Sequence, residues 1–492
     1  MGWKESAEPV LGRMPGITRP EGHVPFKRKL AWTGGVLIVY FFLTNVALWG
    51  MPAGETGQDI FGGFRSILAG EQGSIMQVGI GPIVTASIVM QLLGGADLLG
   101  LDTSDPRDQI LYQGMQKLLV IVMTALTAYP MVFMGGILPA DPGVAGALGL
   151  TVTQLQWLIF TQVLIGGIII LFLDEVVSKW GIGSGIGLFI IAGVSQRLLG
   201  GIFSWPGLGE HGILVDWWLV LTGGVERPSL FTAEGIGFLL IHEGHILSII
   251  TTLFIFAVVV YAESVRVEIP LSHSRVRGAR GRFPVKLIYA SVLPMILVRA
   301  LQMNVQFMGR ILNSQLGADM PSALGVYDGD GNPISGFFYY TNPIMAREEW
   351  MWWLAEGPAQ PLWMVAMRVG VDLTFMIIGG AIFAIFWVET TNMGPDATAR
   401  QIQNSGMQIP GFRQNVGVYE KVLARYIPQV TVIGGALVGL LAVMANMLGT
   451  IGGVTGEGLL LTVSITYKLY EEIAEEQMME MHPMVRQMFG RE

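Results

Sequence analysis

Runs of about 20 predominantly apolar residues recur along the whole chain, and a helix of that length crosses the ~30 Å hydrocarbon core of a bilayer. This recurrence predicts an all-α polytopic membrane protein with ten transmembrane helices. We expect the helices near residues 30–50, 75–95, 111–138, 152–173, 184–203, 246–263, 285–309, 362–388, 428–449 and 456–470.

The composition agrees with a chain embedded in lipid. Only 13% of the 492 residues are charged, about half the share in an average soluble protein. Glycine contributes 66 residues, and small residues let membrane helices approach closely. The absence of cysteine excludes disulfides, thiolate zinc sites and a cysteine nucleophile. A net charge of −8 argues against DNA as a partner, so any RNA contact requires a local basic patch.

The distribution of Lys and Arg predicts the orientation. Loops 264–286 and 390–427 are basic, whereas loops 204–245 and 313–361 are acidic. Residues 1–29 carry several basic residues and lack the apolar core and cleavage site of a signal peptide. We therefore expect the basic loops and both termini to be cytoplasmic, in a multi-pass protein of the cell membrane. The loop 96–116 departs from this trend because it contains four Asp residues.

The spans divide into two groups of five, and the second span of each group contains helix breakers at a comparable place, Gly79 to Pro82 and Pro294. Paired breakers of this kind indicate an inverted repeat with a pathway at its interface. The alternative is that Gly and Pro are simply frequent in membrane helices. The predicted organisation is a cytoplasmic arm at 1–29, a first half at 30–203, an external linker at 204–245, a second half at 246–470 and a cytoplasmic tail at 471–492.

Three motifs resemble catalytic or ligand-binding signatures and fail on their details. The run from His242 to His245 has one residue too few for a zinc-protease HExxH motif. The glycine-rich run 181–187 does not fit a nucleotide-binding fingerprint, so its glycines are expected to allow close packing or a bend. Asp328-Gly329-Asp330 is typical of a turn. We therefore expect neither enzymatic activity nor a cofactor.

Charged residues inside spans are costly, about 2.5–3.5 kcal/mol each on insertion scales, and mark functional or paired positions. Arg368 and Asp372 are four residues apart on one span, so we expect them to pair on one helix face. Asp372 is then the only acid well inside a span, which argues against ion-coupled transport. Another span carries a polar stripe of Arg299, Gln302, Asn304 and Gln306.

Several long motifs resemble the SecY family, the large subunit of the protein-translocation channel, in its archaeal form. They are GIGPIVTASIVMQLL (79–93), LDEVVSKWGIGSGIGLFIIAGVSQ (173–196), VYAESVRVEIPLSH (260–273), FWVETT (386–391) and RYIPQVTVIGG (425–435). The resemblance implies two pseudo-symmetric inverted five-helix halves around a central pore, with a plug and a lateral gate to lipid. It implies a channel that passes unfolded secretory polypeptides and releases transmembrane segments sideways.

The resemblance also assigns roles to residues of this chain. A constriction of aliphatic side chains excludes water and ions yet deforms around a peptide. The implied ring is Ile80, Val84, Ile186, Ile190, Ile296 and Leu461. The implied plug lies at 60–70 and includes Ile60, Phe61, Phe64, Arg65, Ile67 and Leu68. The implied lateral-gate residues are Thr85, Thr127 and Asn304, and the implied ribosome-docking residues are Arg275, Arg277, Arg280, Arg282 and Arg413.

The partners follow from the same resemblance. They are small single-span subunits of the SecE/gamma and beta types, forming a heterotrimer, the ribosome, the signal-recognition-particle receptor, the nascent polypeptide with its signal sequence, and the bilayer itself. Two other functions remain open on the residues alone. An inverted-repeat secondary transporter for a small solute would bind its substrate and couple it to ion flux, and an intramembrane protease is weakened by the failed motifs.

Overall fold

The computed structural model is mainly helical. It describes residues 3–22, 24–52, 65–95, 99–101, 105–134, 138–205, 211–223, 233–240, 245–273, 280–286, 293–328, 331–352, 360–391, 393–404, 407–408 and 415–481.

The first part of the chain contains only helices among its named elements. They are α1 (Trp3–Leu11), α2 (Phe26–Thr44), α3 (Arg65–Leu68), α4 (Gly81–Gly95), α5 (Pro106–Phe133), α6 (Pro142–Ala147), α7 (Val152–Trp180), α8 (Gly185–Phe203), α9 (Ile213–Thr222), α10 (Ala233–Leu240) and α11 (Ile246–Ser264).

The remainder adds short strands to the helices. In order these elements are β1 (Arg266–His273), β2 (Arg280–Lys286), α12 (Leu293–Leu316), β3 (Val326–Tyr327), β4 (Pro333–Ser335), α13 (Phe337–Tyr340), α14 (Leu362–Thr390), α15 (Pro395–Asn404), β5 (Met407–Gln408), α16 (Val416–Leu448) and α17 (Gly456–Met481). Short 3-10 turns occur at Gly317–Asp319, Arg347–Glu349 and Ile451–Gly453.

Each of the ten predicted spans overlaps one described helix, namely α2, α4, α5, α7, α8, α11, α12, α14, α16 and α17. The start predicted for the seventh span is wrong, because residues 285–286 belong to β2. Among the described residues, six helices are long and apolar enough to cross a membrane: α5, α7, α8, α11, α14 and α16. The other four are shorter or more polar. Helix α4 has 15 residues, α2 begins with the basic run Lys27-Arg28-Lys29, and α12 contains Arg299 and Arg310.

Local capping determines where several helices begin. The side chain of Asp105 accepts a hydrogen bond from the main-chain N–H of Arg107 at 3.0 Å and caps α5. Asp108, in the first turn of α5, pairs with Lys4 of α1 at 2.7 Å. Two of the four acids in the loop 96–116 are therefore accounted for by a helix start and by the docking of α1. At α7, Thr151 and Gln154 form a reciprocal capping box.

The predicted breaker in the second span starts a helix and does not interrupt one. Residues 75–80 are turns, and α4 begins at Gly81, with Pro82 in its first turn. Proline is favoured there because the first N–H groups of a helix lack intrahelical partners. Pro294 is the second described residue of α12. The expected interruption of the second span is wrong at Gly79 to Pro82, and the equivalence of the two sites stays a prediction.

The chain divides into two compact units. The first comprises Met1–Arg197, Arg310–Met320 and Ile465–Glu492, and the second comprises Leu198–Gly309 and Pro321–Ser464. The boundaries lie within α8, α12 and α17. The division into halves at the linker 204–245 stays a prediction.

Helices α14 and α16, both in the second unit, pack with their backbones in close approach. A Cβ atom on Gly435 would lie 2.5 Å from the carbonyl oxygen of Gly380, and one on Gly439 would lie 2.4 Å from that of Met376. No real Cβ tolerates such distances to backbone. The high glycine content therefore has the packing role expected from composition.

We predict that Gly435→Ala lowers the free energy of unfolding by about 1–3 kcal/mol, because the carbonyl of Gly380 belongs to a packed helix and cannot move aside. Thermal denaturation in detergent micelles measures the effect. The matched control is Gly370→Ala in α14, where a Cβ meets no heavy atom within 4 Å. Equal stability of the two variants would contradict the packing argument.

Candidate functional site

The plug assigned by resemblance is described only at its C-terminal end. Helix α3 covers Arg65–Leu68, and its Ile67 is buried. Ile60, Phe61 and Phe64 lie outside the described residues. The side chain of Arg65 is likewise not described.

The segment after α3 is fixed to the start of α4 through main-chain atoms; we call this arrangement the plug seat (Leu68, Ala69, Gly79 and Ile80). The N–H of Ile80 donates to the carbonyl oxygen of Leu68 at 2.7 Å. Gly79 has φ +56°, and a Cβ there would lie 2.1 Å from the same carbonyl. Only glycine allows this approach in this backbone conformation. The plug seat therefore brings a predicted plug residue onto a predicted ring residue within the first unit.

Tyr40 of α2 holds the plug seat from a second side. Its hydroxyl donates to the carbonyl oxygen of Ala69 at 3.1 Å, and the side chain is buried. Its ring stacks on that of Phe189 in α8, with centroids 5.0 Å apart. Phe189 lies between the ring candidates Ile186 and Ile190. Tyr40 was not singled out in the sequence, because a tyrosine in an apolar span carries no signal of its distant partner.

The ring candidates are distributed over both units. In the first unit Ile80 and Ile190 are buried, and Val84 and Ile186 are half-buried. The remaining two, Ile296 and Leu461, lie in the second unit and are buried there. Their assembly into one constriction stays a prediction.

The glycine-rich run 181–187 forms the turn that starts α8. Asp174 of α7 accepts a hydrogen bond from the N–H of Ile186 at 2.9 Å. A Cβ on Gly185 would lie 2.5 Å from the carboxylate oxygen of Asp174. The run thus permits the close approach expected of it, and it positions Ile186 at the start of its helix.

The gate candidates show no special geometry. The hydroxyl of Thr85 donates to the carbonyl of Gly81 at 2.9 Å, and that of Thr127 donates to the carbonyl of Met123 at 2.8 Å. Such bonds to the preceding turn are usual for threonine in helices. Asn304 is exposed on α12. Their gate role stays a prediction.

The second unit encloses a set of charged and amide side chains that we call the buried charge cluster (Arg299, Gln302, Asp372, Asn446 and Glu457). Arg299, Asp372 and Glu457 are each 0% exposed. Nε of Arg299 donates to Glu457 at 2.8 Å, and Nη1 donates to Asp372 at 3.2 Å and to Gln302 at 2.7 Å. Asn446 donates to Glu457 at 3.2 Å. The cluster therefore joins α12, α14, α16 and α17.

Main-chain groups of residues 338–344 complete these hydrogen bonds. The N–H of Ile344 donates to the second carboxylate oxygen of Asp372 at 3.2 Å. The amide nitrogen of Gln302 donates to the carbonyl of Thr341 at 3.1 Å, and that of Gln306 donates to the carbonyl of Phe338 at 2.9 Å. The polar stripe on α12 thus serves as a docking face for the segment that contains α13, with the exception of exposed Asn304.

The expected pairing of Arg368 with Asp372 is wrong. Asp372 pairs with Arg299, as the cluster shows, and Arg368 pairs with Glu349 and donates to the carbonyls of Asn342 and Pro343. Arg368 also lies over the ring of Tyr339, 5.2 Å from its centroid, and burial raises the pKa of that phenol above its ordinary value.

Glu457 is a second acid enclosed with Asp372, and the sequence interpretation missed it. It lies in the first turn of α17. There it follows a glycine-rich stretch that resembles an exposed loop.

The two basic loops assigned to ribosome docking meet in one sheet. Strands β1 and β2 form an antiparallel hairpin, and β5 from the second loop pairs with the far end of β1, giving the order β2-β1-β5. Arg280 and Arg282 lie in β2, opposite Ser272 and Pro270. The base of the hairpin is buried through Val285, which belongs to a core cluster with residues of α14, α15 and α16.

Three docking candidates, Arg275, Arg277 and Arg413, lie outside the described residues. The sequence indicated these loops by their charge and by the family resemblance, and it did not predict their strands.

Two family models match adjoining parts of the chain. The SecY model matches residues 74–470, and the model of the plug domain of Sec61p matches residues 38–73. The second match contains Tyr40, Leu68 and Ala69, which meet at the plug seat.

The chain is similar over its full length to protein translocase subunits SecY of archaea. It is 70% identical to that of Haloarcula marismortui, with 100% of both chains covered. It is 46% identical to that of Archaeoglobus fulgidus, covering 99% of this chain and 98% of the relative.

Solved structures show the same fold. A protein-conducting channel matches with a TM-score of 0.75 and 40% identity, covering 96% of this chain and 98% of that one. Sec61 in a canine ribosome–channel complex from the endoplasmic reticulum matches with a TM-score of 0.72 and 40% identity over the same shares.

We predict that Arg299→Met destabilises the protein by about 3–5 kcal/mol, because it leaves two enclosed carboxyl groups without their cation. Thermal denaturation in micelles measures the loss. Combining Arg299→Met with Asp372→Asn and Glu457→Gln should recover most of it, since no uncompensated charge remains.

The control for this prediction is Arg400→Met. Arg400 pairs with Asp396 on the exposed surface of α15, and exposed pairs contribute under about 1 kcal/mol. An Arg299→Met variant as stable as the control, or a triple variant less stable than Arg299→Met alone, would contradict the assigned role of the cluster.

Proposed function

The chain belongs to the SecY family of protein translocase subunits, and from this premise we propose which of its elements close and open the channel. The protein is a channel subunit that spans the membrane several times, and it is not an enzyme. It passes unfolded secretory polypeptides across the membrane and releases transmembrane segments into lipid. A secondary transporter of small solutes and an intramembrane protease are thereby set aside.

We propose that the plug seat holds the channel closed. The observation that supports this proposal is the hydrogen bond from Ile80 to Leu68, because it joins the end of the plug match to the first ring candidate. Among the described residues, the carbonyls of Leu68 and Ala69 are held by two hydrogen bonds, from Ile80 and from Tyr40, and each such bond contributes only about 0.5–1.5 kcal/mol. An element attached in this way is stable at rest and is displaced at low cost by an entering polypeptide.

The ring of Ile80, Val84, Ile186, Ile190, Ile296 and Leu461 is proposed as the constriction. Family membership supports the assignment, together with the Asp174 cap that fixes the position of Ile186. Aliphatic side chains at such a point exclude water and present no charge that could retain a passing peptide. The residues Thr85, Thr127 and Asn304 are proposed as the gate lining on family membership alone.

The partners are proposed on the same ground. We propose that small single-span subunits of the SecE/gamma and beta types complete a heterotrimer, and that the ribosome and the signal-recognition-particle receptor deliver the nascent chain. Among solved relatives, Sec61 occurs in ribosome–channel complexes, which supports a ribosome contact. The proposed location is the cell membrane, with both termini in the cytoplasm.

Ion conductance in planar bilayers tests the plug seat. Tyr40→Phe removes the hydroxyl that donates to Ala69 and keeps the aromatic stack. The loss of one such bond, about 0.5–1.5 kcal/mol, should raise the resting conductance roughly two- to twelvefold. Serine at Ile80, Ile186 and Ile296 together should raise it further, because a polar constriction stays wet.

The controls repeat the same chemistry at exposed positions outside the plug seat and the ring. Tyr129→Phe on α5 changes an exposed tyrosine, and serine at Ile38, Ile165 and Ile378 changes three exposed isoleucines. Neither control should alter conductance. If Tyr40→Phe and the triple serine variant both conduct like their controls, the plug seat and the ring are wrongly assigned.

Ribosome binding tests the basic loops. Reversal to Glu at Arg275, Arg277 and Arg413 should weaken ribosome affinity at least tenfold at fixed salt, because phosphate contacts dominate RNA affinity. Reversal at Arg13, Arg19 and Arg28, which are exposed in the N-terminal part of the chain, changes the net charge equally and serves as control. Co-sedimentation over a salt series measures the ribosome affinity of both variants. Equal losses of affinity would mean that net charge alone causes the effect, and would contradict docking through the basic loops.

A further inference from the structure

Helix α9, in the segment between the fifth and sixth spans, has an apolar face with no role in the channel described above. Its exposed residues are Leu214, Trp217, Trp218 and Leu221, with 41–75% of their surface accessible. They occur at positions i, i+3, i+4 and i+7, so they share one side of the helix. This side is a continuous apolar stripe.

The opposite side of α9 is attached to the protein. Ile213, Val215 and Asp216 are buried. Asp216 lies 3.1 Å from the ring nitrogen Nε2 of His245 and 3.5 Å from Nδ1 of His211. His245 directly precedes α11, so the only acidic residue of α9 is used in fastening the helix to the start of a span.

The N-terminus of α9 is attached to the end of the preceding span. The N–H of Gly212 donates to the carbonyl of Ser204 at 3.0 Å. A Cβ on Gly212 would lie 2.7 Å from the carbonyl oxygen of Ile202, so the turn packs directly against the last residues of α8. Helix α9 is thus attached to the end of α8 and to the start of α11. Both helices are long and apolar enough to cross the membrane.

The neighbouring surface has the composition of a membrane interface. Phe203 and Trp205, at the end of α8, are exposed. On α11 the exposed side chains include Ile250, Leu253 and Phe254. Aromatic residues are enriched where spans reach the lipid headgroups. Exposed apolar side chains therefore continue from α9 onto both helices to which it is attached.

We propose that α9 is an interfacial anchor that lies along the membrane surface with Leu214, Trp218 and Leu221 among the lipid headgroups and upper acyl chains. Ten residues make a helix about 15 Å long, half of the ~30 Å hydrocarbon thickness, so α9 does not cross the bilayer. One side of α9 is exposed and apolar, and the other side packs on the protein through Ile213, Val215 and Asp216. A helix held in this way presents its apolar side to lipid when it lies in the plane of the interface. The occupant of its apolar stripe is lipid.

Spin-label accessibility in vesicles of phosphatidylcholine and phosphatidylglycerol tests the anchor. The chain has no cysteine, so Leu214→Cys, Trp218→Cys and Leu221→Cys each supply the only thiol for labelling. Phe254→Cys, in the middle of α11, is the reference for the hydrocarbon core, and exposed Ser322→Cys is the reference for water. All five side chains are exposed, so the substitutions should leave the fold intact.

The anchor predicts that oxygen relaxes the three α9 labels more strongly than a water-soluble nickel complex does. Their depth should lie between the two references and agree among the three positions to within about one helical turn, ~5 Å. Thr222→Cys, on another side of α9, should be more accessible to nickel than Leu221→Cys. This measurement requires no translocation, so its result is independent of the channel assignments.

Three results would overturn the proposal. Nickel accessibility equal to that of Ser322→Cys would place the stripe in water. Immobilised labels protected from both oxygen and nickel would mean that a second copy or another protein covers it. A steady increase in depth from Leu214 to Leu221 would mean that the helix enters the bilayer end-on.

Discussion

A bilayer interior offers no water to a polar group, so every donor, acceptor and charge within it needs a partner from the protein. The buried charge cluster satisfies this condition completely. One guanidinium is held between two carboxyl groups, and amide side chains and main-chain groups occupy the remaining positions. Four helices and the segment 338–344 must be in place together for this to happen. The arrangement of the second unit thus depends on groups that would be too costly to leave exposed to lipid.

The same condition explains what could be predicted from sequence. A membrane span is recognised from its own length and apolar content, without knowledge of its neighbours. All ten predicted spans therefore overlap described helices. The ion-pair partner of a charged side chain cannot be predicted in the same way, because it can come from any other element of the fold. Arg368 and Asp372 have the right spacing to pair, yet each has a better partner from another element. Glu457 resembles a loop residue because it follows a glycine-rich stretch, and only the folded chain brings Arg299 and Asn446 to it.

In the candidate site, too, some residues could be proposed from the sequence and others became apparent only in the folded chain. The motif resemblance assigned Leu68 to the plug and Ile80 to the ring, and the structure joins these two residues by a hydrogen bond at the plug seat, while their roles stay predictions. Tyr40 was missed because its hydroxyl acts on a main-chain oxygen 29 residues away. The basic loops were recognised by charge and by resemblance. Their common sheet depends on pairing between β1 and β5, which are separated by more than a hundred residues, and β5, with two residues, is too short to leave a pattern.

The plug seat consists almost entirely of main-chain atoms, and this has a consequence for how the region tolerates change. A carbonyl and an N–H are present in nearly every residue, so substitutions along the seat preserve the bond from Ile80 to Leu68 as long as Gly79 is kept. Insertions and deletions do not, because one residue more or fewer between Ala69 and Gly79 shifts the donor away from the acceptor. The bond itself is therefore expected to restrict the length of this segment strictly and to restrict residue identity at Gly79, whereas the side chain of Ile80 is restricted by its proposed place in the constriction.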